Sequence, residues 1–497
     1  MSEPAPQSFV NLVNGRAVQA LTGATIESFD PFLGKPWATI PRCDRQDVDA
    51  AVAAARGAFR APAWRGLTAT ARGKLLAHFA QILDSHADRL ADIESRDNGK
   101  LLIETQAQLR YLPEWYRYFA GMCDKIEGAV LPIDKPAMHA FTRREPIGVI
   151  ACITPWNSPL LLLGWKLAPA LAAGNTVVIK PSEHAACSTL AFVQLFELAG
   201  FPPGVVNTVT GLPLEAGAAL ANHPDVAMIA FTGGEPGGVA VYQAAAQGLK
   251  RVTLELGGKS PNIVFADADI GNAVFGAISG IFAASGQTCI AGSRLLVQRS
   301  VLDEVTARLV DTAKLARLGN PRLPETQVGP ITTREQHAKV LRDIERARKA
   351  GATCVMGGRQ PDAEGLAQGW FVEPTIFTDV DNRMAIARDE VFGPVLAVIP
   401  FEDEEDALAI ANDSRYGLAA GVWTSNIARA LRMSQQLEAG TVWVNTYRAV
   451  SFMAPFGGVK RSGIGRESGQ SALDEYLETK TVWIDMGAPV ANPFVIR

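Results

Sequence analysis

The sequence contains few of the residues that build disulfide frameworks or structural metal sites. Its 497 residues include six histidines and six cysteines, at positions 43, 123, 152, 187, 289 and 354, and no C-x-x-C pair. Structural zinc sites need cysteines and histidines at close spacing, and stapled secreted folds need a higher density of cysteine. We therefore expect reduced thiols in the cytoplasm and no bound metal.

The sequence also lacks an excess of charge of one sign. Lysine and arginine total 47, aspartate and glutamate total 51, and the net charge is −4. Nucleic-acid binding needs a basic excess or a basic cluster, so we do not expect nucleic acid as a partner. The length and the hydrophobic content of 48% favour two or three domains with large cores.

No segment is typical of a leader or a membrane anchor. The first six residues contain neither a basic cluster nor an apolar run, which argues against a signal peptide. The longest uncharged run, residues 146–165, is long enough to span a bilayer, but it contains Pro155, Asn157 and Pro159. These residues would leave backbone groups unsatisfied in lipid, so we expect a strand, a turn and a helix in a buried core, and no membrane partner.

The N-terminal third is predicted to be largely helical after a hairpin over residues 10–17. Asp44 is placed to cap a helix that runs through Phe59, and apolar residues at helical spacing from Leu75 to Ile93 indicate a second helix.

From residue 147 onward, short β-branched runs alternate with helical patterns. This alternation predicts a parallel sheet covered on both faces, which is a doubly wound, nucleotide-binding architecture. A second α/β unit is expected from Lys259 to Arg461, with a helix over residues 333–350. The predicted strands are Gly148–Ile153, Thr176–Ile179, Val205–Val209 and Val226–Phe231 in the first unit, and Val395–Ile399 and Thr441–Asn445 in the second.

Polar residues follow the predicted strands of the first unit, at the edge where doubly wound folds bind ligands. Asn157 could donate to a developing oxyanion or form an Asx-turn. Lys180 and Glu183 suit ribose hydroxyls, or they form a solvated loop pair. The glycines in residues 231–238 could let backbone N–H groups approach a phosphate, although their spacing departs from G-x-G-x-x-G.

Three further segments carry reactive side chains. Glu255 lies in an apolar strand, where burial without a partner would suit a general base, whereas pairing with Lys259 would make it structural. Cys289, in Gly-Gln-Thr-Cys-Ile-Ala-Gly, is placed like a nucleophile, although most free cysteines are buried hydrophobes. Glu390 and Phe392 offer a second carboxylate and an aromatic face.

These motifs, in this order and spacing, resemble the aldehyde dehydrogenase superfamily over essentially the whole chain, and are similar to bacterial members of undefined substrate. The resemblance implies an α/β fold with a doubly wound Rossmann-like cofactor domain, an α/β catalytic domain and a small β oligomerisation element. The implied boundaries are 1–127 and 147–257 for the dinucleotide-binding domain, 258–461 for the catalytic domain, and 128–146 with 477–497 for the oligomerisation segment.

The resemblance also implies NAD-dependent oxidation of an aldehyde to its carboxylic acid. Cys289 would be the nucleophile, Asn157 would hold the oxyanion with the backbone N–H of Cys289, and Glu255 would activate the hydrolytic water. Lys166 and Glu467 resemble a pair assigned to proton relay. The implied NAD contacts are Ile153, Thr154, Pro155, Trp156, Lys180, Ser182, Glu183, Gly211, Gly217, Phe231, Thr232, Gly233, Gly234, Leu256, Glu390 and Phe392.

The sequence defines the substrate less clearly than it defines the cofactor. Ser158, where many relatives carry a bulky aromatic residue, suggests extra room. Arg448 could favour aldehydes with a distal carboxylate, or it could face solvent or another subunit. By resemblance, the substrate pocket is lined by Leu162, Trp165, Thr288, Ile290, Arg448 and Val450.

The dinucleotide site both follows and departs from the family pattern. Glu183 should accept hydrogen bonds from the ribose 2′-hydroxyl and repel a 2′-phosphate, which favours NAD and leaves NADP as an alternative. Gly234 and Glu235 stand where the family usually has serine and threonine. We expect weaker dinucleotide affinity, or a Glu235 side chain turned to solvent by Pro236, and tighter NAD binding when serine and threonine are restored.

Three other functions stay open. A CoA-acylating aldehyde dehydrogenase would pass the acyl group to CoA, but Glu255 argues for water. A non-catalytic NAD-binding or structural protein would not need Cys289, Glu255 and Asn157 together. A dehydrogenase of phosphorylated substrates would need an added basic cluster.

Assembly is expected to follow the family. Residues Thr479–Asp485 are predicted to form an isolated strand, with no following element to pair with, and such a strand favours pairing with another subunit. Together with Arg143 and Arg144, this strand resembles the family's oligomerisation element, so we expect a homodimer or a homotetramer built as a dimer of dimers.

Overall fold

The computed structural model describes residues 6–487 and 492–494, which form two large sheets, four small sheets and the helices that cover them. The predicted domain start at residue 1 and the predicted segment 477–497 therefore lie partly outside the described residues. The N-terminal part contains β1 (Gln7–Ser8), β2 (Asn11–Val13), β3 (Arg16–Val18), β4 (Thr25–Asp30), β5 (Lys35–Pro41), α1 (Arg45–Arg60), α2 (Pro62–Arg65), α3 (Ala69–Asn98), α4 (Leu102–Tyr111), α5 (Pro113–Met122) and β6 (Met138–Pro146).

Alternating strands and helices follow, as the sequence pattern predicts. The middle part contains β7 (Val149–Thr154), α6 (Pro159–Ala173), β8 (Thr176–Pro181), α7 (Cys187–Val193), α8 (Leu195–Leu198), β9 (Val206–Thr208), α9 (Ala218–Asn222), β10 (Val226–Thr232), α10 (Glu235–Gln247) and β11 (Arg251–Glu255).

The remaining part is a second α/β unit. It contains β12 (Pro261–Val264), α11 (Ile270–Phe282), β13 (Arg294–Gln298), α12 (Leu302–Ala313), α13 (Arg334–Lys349), β14 (Thr353–Met356), β15 (Thr375–Thr378), α14 (Ala385–Arg388), β16 (Val395–Phe401), α15 (Glu404–Asn412), β17 (Tyr416–Gly417), β18 (Ala419–Trp423), α16 (Ile427–Gln436), β19 (Thr441–Val444), β20 (Val459–Lys460), β21 (Gly463–Ile464), α17 (Ala472–Glu475) and β22 (Leu477–Asp485).

Local signals explain the helices that frame the first sheet. Asp44 caps α1 in a capping box with Asp47, as its position before an apolar helical pattern predicts. Gly99, with a φ of 76°, ends α3 in the left-handed conformation. All fifteen residues of α6 are buried, because this helix packs between the sheet and α3 and α5.

The first large sheet has the order β21-β11-β10-β7-β8-β9 and is parallel except for β21. Every residue of β7 and β8 is buried, as expected for a parallel sheet that is covered on both faces. The strands end at Thr154, Pro181, Thr232 and Glu255, so their polar residues meet at one edge of the sheet. The doubly wound fold expected from the sequence is confirmed.

The second large sheet has the order β14-β15-β16-β13-β12-β18-β19, and only the pair β14-β15 is antiparallel. The chain then returns to the first sheet, because β21 pairs with β11 through Leu254 and Ile464. Apart from β21, the strands of the first sheet precede residue 258, and all strands of the second sheet follow it.

The prediction of an isolated C-terminal strand is wrong. β22 pairs with β6 of the same chain in a nine-residue antiparallel ladder that runs from Leu477 opposite Pro146 to Asp485 opposite Met138. The local sequence around β22 does not indicate this pairing, because hundreds of residues separate the two strands.

Across the described residues, no helix combines the length and the apolar character that are needed to cross a bilayer.

Candidate active site

Cys289 lies after a tight turn that only small residues permit. After α11, Ala284 and Ser285 adopt positive φ, and a Cβ on Gly286 would lie 2.1 Å from the carbonyl oxygen of Gly393. The glycine therefore allows the segment before Cys289 to pack against the backbone that follows Phe392. This contact brings two distant sequence motifs into one site.

The Cys289 thiol is half-buried and lines a cavity of about 550 Å³, the Cys289 cavity. Burial raises the pKa of this thiol to about 12, and the carboxylates of Glu390 and Glu255 raise it further in the same direction. The resting thiol is therefore protonated at neutral pH, and its reaction as a nucleophile requires a base that takes its proton.

Asn157 is held against the Cys289 segment rather than in its own turn. Its buried Nδ2 donates a 2.9 Å hydrogen bond to the carbonyl oxygen of Gln287. The Nδ2 of Asn98 in turn donates to the carbonyl oxygens of Trp156 and Asn157, at 3.3 and 3.4 Å. Since an amide nitrogen carries two N–H groups, Asn157 keeps one for an oxygen in the cavity that it lines.

Glu255 ends β11 and is 4% exposed. Neither of its carboxylate oxygens accepts a hydrogen bond from a described residue, and no described ion pair joins it to Lys259. Burial is the main cause that raises its pKa well above the usual value for glutamate, and the charge of Glu467 adds to the rise. The structural alternative considered for Glu255 therefore fails.

Lys166 and Glu467 form a buried ion pair next to this carboxylate. The ammonium of Lys166 donates to Oε1 of Glu467, whereas Oε2 of Glu467 has no hydrogen-bond partner among the described residues. The effect of the Glu467 charge on Glu255 places the three groups in one electrostatic cluster. The structure thus brings together the residues predicted for base catalysis and proton relay.

A second cavity of about 620 Å³, the Lys180 cavity, adjoins the first. The two share lining residues at Trp156, Thr232 and Gly233, so together they form one extended groove. The Lys180 cavity is lined by the predicted cofactor residues Ile153, Thr154, Pro155, Trp156, Lys180, Ser182, Glu183, Gly217, Phe231, Thr232, Gly233 and Gly234. Leu256, Glu390 and Phe392 line the Cys289 cavity.

Gly211 is the exception among the predicted cofactor residues, because it lines neither cavity. Its φ is 148°, and an added Cβ would lie 2.8 Å from both the Ala216 Cβ and the Cys43 carbonyl oxygen. This glycine therefore permits close backbone packing behind the groove.

Lys180 and Glu183 are mostly buried, so they are not a solvated loop pair. The Lys180 ammonium donates to the carbonyl oxygen of Pro181 at 2.9 Å and lies 3.8 Å from Oε2 of Glu183, whose side chain is 13% exposed. Burial lowers the pKa of Lys180. Both polar ends face the cavity, where ribose hydroxyls could be bound.

The groove fits a dinucleotide. The hydroxyls of Thr154 and Thr232 are buried without partners in the described structure, which leaves polar groups for a ligand. A Cβ on Gly233 would lie 2.6 Å from the Phe231 ring, so glycine is needed for the backbone to pack closely against this ring just before α10. The N-terminus of α10 thus faces the groove, a favourable place for a phosphate.

The Glu235 side chain does not turn to solvent, and that part of the sequence-based expectation is wrong. Its side chain is 16% exposed, and its carboxylate contacts Arg461, Tyr416 and Arg415. At Gly234, an added Cβ would meet only the Pro236 Cδ, at 3.9 Å, so a serine would fit there.

Glu390 and Phe392 close the groove near the thiol. The backbone N–H of Gly258 donates a 3.0 Å hydrogen bond to Oε1 of Glu390, and burial raises the pKa of this carboxyl to about 7. The Phe392 ring meets Trp156 edge to face, with centroids 5.3 Å apart. A carboxylate and an aromatic face therefore flank the space in front of Cys289.

Of the predicted substrate residues, only Leu162 lines the Cys289 cavity. Trp165 stacks on Trp115 at 5.9 Å, and the carbonyl oxygen of Ile290 accepts from the Tyr447 hydroxyl at 3.0 Å. Thr288 and Val450, also predicted to line the substrate pocket, are half-buried.

Arg448 is half-buried and has a φ of 67°. Its Nη1 donates to the carbonyl oxygen of Ser279 at 3.2 Å, and no described carboxylate forms an ion pair with it.

Several site residues escaped the sequence-based prediction. The space expected beside Ser158 holds the ammonium of Lys100, which donates to the Ser158 hydroxyl and, at 3.2 Å, to Oε1 of Gln108. Lys339 donates to the carbonyl oxygens of Glu390 and Val391 at 2.8 and 3.0 Å and so fixes that segment. A buried Asp-Asn-Gly-Lys run at the end of α3 was the available signal for Asn98 and Lys100.

Comparison with known proteins agrees with this geometry. The profile of the Aldehyde dehydrogenase family matches residues 18–482. A (Z)-2-((N-methylformamido)methylene)-5-hydroxybutyrolactone dehydrogenase of Acinetobacter baylyi is 47% identical over 494 residues, which cover 99% of this chain and all of that protein.

Solved structures give the same result. A betaine aldehyde dehydrogenase of Staphylococcus aureus in complex with NAD+ superposes with a TM-score of 0.97 at 38% identity, covering 99% of this chain and 100% of that one. An NAD+ complex of an aldehyde dehydrogenase of Bacillus cereus has a TM-score of 0.94 at 43% identity, with 97% of each chain covered.

Proposed function

Because this chain belongs to the aldehyde dehydrogenase family and is an NAD-dependent aldehyde dehydrogenase, we propose that Cys289, Asn157 and Glu255 perform its chemistry. The supporting observation is that Glu255 is buried with no hydrogen-bond partner among the described residues, and that its charge adds to the effect of burial in raising the pKa of the Cys289 thiol. A carboxylate of raised pKa beside a nucleophile suits proton transfer near neutral pH.

The first half of the reaction forms a covalent adduct. Cys289 loses its proton to a nearby base, and its sulfur forms a bond to the aldehyde carbon. The carbonyl oxygen gains negative charge, which the Nδ2–H of Asn157 and the backbone N–H of Cys289 stabilise; such a donor is worth about 3 kcal/mol. Bound NAD supplies the acceptor for the hydride that leaves the adduct, and a thioester on Cys289 results.

The second half returns the enzyme to its starting state. Glu255 takes a proton from a water molecule whose oxygen bonds to the thioester carbon. The carbon–sulfur bond then breaks, the carboxylic acid leaves, and the Cys289 thiolate takes back its proton from the base that had accepted it, which restores the resting thiol. Glu467 and Lys166 lie beside Glu255 and would pass its proton onward.

The variant Glu255→Gln tests this division of roles. It should give a burst of about one NADH per active site with an aldehyde and NAD, followed by slow turnover, and intact-mass analysis should find the acyl group on Cys289. Unimpaired steady-state turnover would contradict the role of Glu255. Turnover rescued by CoA would favour an acylating enzyme instead.

We further propose that the substrate is an aldehyde with a distal carboxylate. Arg448 has no described counterion, and the Lys100 ammonium lies beside Ser158, next to the oxyanion amide. Burial lowers the pKa of Lys100, and the charge of Arg448 lowers it further. The Acinetobacter relative acts on a 5-hydroxybutyrolactone, and such a lactone is the cyclic form of a 4-oxo acid.

A substrate panel tests this class. For the ratio of kcat/KM between 4-oxobutanoate and butanal, Arg448→Ala should cause a fall of about tenfold, whereas Arg448→Lys should preserve most of it. An unchanged ratio in the alanine variant would refute the role of Arg448. A preference for betaine aldehyde would refute the acidic class altogether.

We also propose a homo-oligomer in the cytoplasm, a dimer or a dimer of dimers, with the domain boundaries given above. The small sheet of β6 and β22 leaves Met138, Trp483 and Ile484 exposed, which supports burial against a second copy. All six cysteines are free, which supports a reducing compartment, where thiols persist without forming disulfides.

A further inference from the structure

Glu235 connects the units built on the two large sheets. It is the first residue of α10, which follows β10 of the six-stranded sheet. Its partners belong to the other side of the groove: Arg415 and Tyr416 lie just before β18 of the seven-stranded sheet, and Arg461 follows β20, which pairs with β17. The contacts of this carboxylate therefore connect the two sides of the cofactor groove.

The contacts of Glu235 differ in tightness. Arg461 binds Oε1 through two nitrogens, Nε at 2.6 Å and Nη2 at 2.5 Å. The Tyr416 hydroxyl donates to Oε2 at 3.0 Å, and Nε of Arg415 lies 3.6 Å from the same oxygen. Arg461 therefore forms a close, hydrogen-bonded ion pair with the carboxylate. Arg415 is near enough for electrostatic attraction but too far for a hydrogen bond to it.

Arg415 is held at the groove from several sides. Its Nη2 donates to the Tyr416 hydroxyl at 3.0 Å and lies 3.5 Å from Oδ1 of Asp389. Its guanidinium carbon is 5.0 Å from the centre of the Tyr416 ring. Arg415 lines the Cys289 cavity together with Gly234 and Glu235, which places a cation opposite the N-terminus of α10.

A negative charge at Glu235, at the N-terminus of α10, is unexpected in a dinucleotide site. A dinucleotide brings a doubly charged pyrophosphate to the N-terminus of α10, where Gly234 has no hydroxyl to offer and a lone Glu235 carboxylate would repel it. Arg461 binds the carboxylate closely, and Arg415, which lies 3.6 Å from Glu235 and 3.5 Å from Asp389, keeps its guanidinium at the groove.

We propose that Glu235 is a positioning residue for the cofactor: it holds Arg415 at the N-terminus of α10, where this guanidinium binds the pyrophosphate in place of a hydroxyl. The proposal reverses the sequence-based expectation for position 235. Glu235→Thr would release the arginine, so restoring serine and threonine together would not tighten NAD binding, whereas Gly234→Ser alone could add a contact.

Binding of ligand fragments to the enzyme without substrate separates this role from catalysis. Calorimetry, or quenching of the intrinsic tryptophan fluorescence, would give Kd for NAD+, for ADP-ribose, which keeps the pyrophosphate, and for adenosine, which lacks it. Glu235→Gln and Arg415→Ala should each raise Kd for NAD+ and ADP-ribose about tenfold and leave Kd for adenosine unchanged. The double variant should bind no more weakly than Arg415→Ala, because both changes remove one interaction.

Glu404→Gln is a matched control. Glu404 is also the first residue of a helix, α15, and is also held by two arginines, Arg429 at 3.3 Å and Arg432 at 2.7 Å. Its Kd values should equal those of the native enzyme.

Three results would overturn the proposal. Tighter binding of ADP-ribose by Glu235→Gln would show that the carboxylate only repels the pyrophosphate. A parallel loss of adenosine affinity would show that Glu235 only maintains the fold of the groove. Unchanged ADP-ribose binding by Arg415→Ala would show that this arginine does not meet the phosphates.

Discussion

The Asn157 amide donates a 2.9 Å hydrogen bond to the carbonyl oxygen of Gln287, across 130 residues of sequence. This bond ties the end of β7 to the segment that carries Cys289, so the donor and the nucleophile keep a fixed relation to each other. Preorganised donors of this kind stabilise a developing charge without reorganising.

Asn157→Ala should therefore lower kcat by roughly 10²- to 10³-fold while Kd for NAD+ stays the same. Stopped-flow measurement of the NADH burst would show whether adduct formation is the step affected. A variant whose burst rate is native would remove Asn157 from the oxyanion site.

The carboxylates around Cys289 should control its reactivity. Because the charge of Glu255 raises the pKa of the thiol, Glu255→Gln should shift the alkylation midpoint of Cys289 by iodoacetamide to lower pH. Peptide mass spectrometry would follow Cys289 separately from the other thiols. A shift to higher pH would mean that Glu255 assists thiol deprotonation more than its charge opposes it.

The acid limb of the hydrolytic step should depend on Glu467. The charge of Glu467 helps to raise the pKa of Glu255, and the base must be ionised to act, so deacylation slows as pH falls through this raised pKa. Glu467→Gln removes the like charge, lowers the pKa of Glu255 and should move the limb to lower pH. The measurement is the deacylation rate against pH; an unmoved limb would separate the two residues.

Cofactor choice should depend on Glu183, which is 13% exposed beside Lys180. Glu183→Gln removes the charge that opposes a 2′-phosphate, so the ratio of kcat/KM for NAD over NADP should fall about tenfold. Steady-state kinetics with both cofactors would measure it. Equal ratios in the native enzyme and the variant would place discrimination elsewhere.

The exposed face of the small sheet should be an interface. Trp483 is 52% exposed, and Trp483→Lys should place a charge on this face and shift the protein towards monomer in light-scattering measurements. Thr481→Lys, two residues away on the same face of the strand, adds the same charge but leaves Trp483 in place, so it separates the effect of charge from the loss of the apolar side chain. A native mass that is already monomeric would refute the assembly itself.

The parts of the site that local sequence pattern defines were predictable. β-branched runs located β7, β8 and β10, and parallel strands bring their carboxyl ends to one edge, so Asn157, Lys180 and the glycines of residues 231–238 were expected to meet.

Contacts between charged residues far apart in sequence were not predictable. Glu235 meets Tyr416 and Arg461 across 181 and 226 residues, and neither arginine at the groove belongs to a recognisable motif. An ion pair leaves no local pattern, so Glu235 could be interpreted only as an isolated charge. The burial of Lys100 against Ser158 was hidden for the same reason.

The pairing of β6 with β22 has a consequence for how the protein is made. Lys480 and Glu145, which form an ion pair across this ladder, are 335 residues apart in the chain. During synthesis, β6 must wait without its partner strand while both large sheets emerge and fold. The proposed subunit association through this sheet is therefore expected to be a late event, after release from the ribosome, and the unpaired edge of β6 is a natural binding target for chaperones until then.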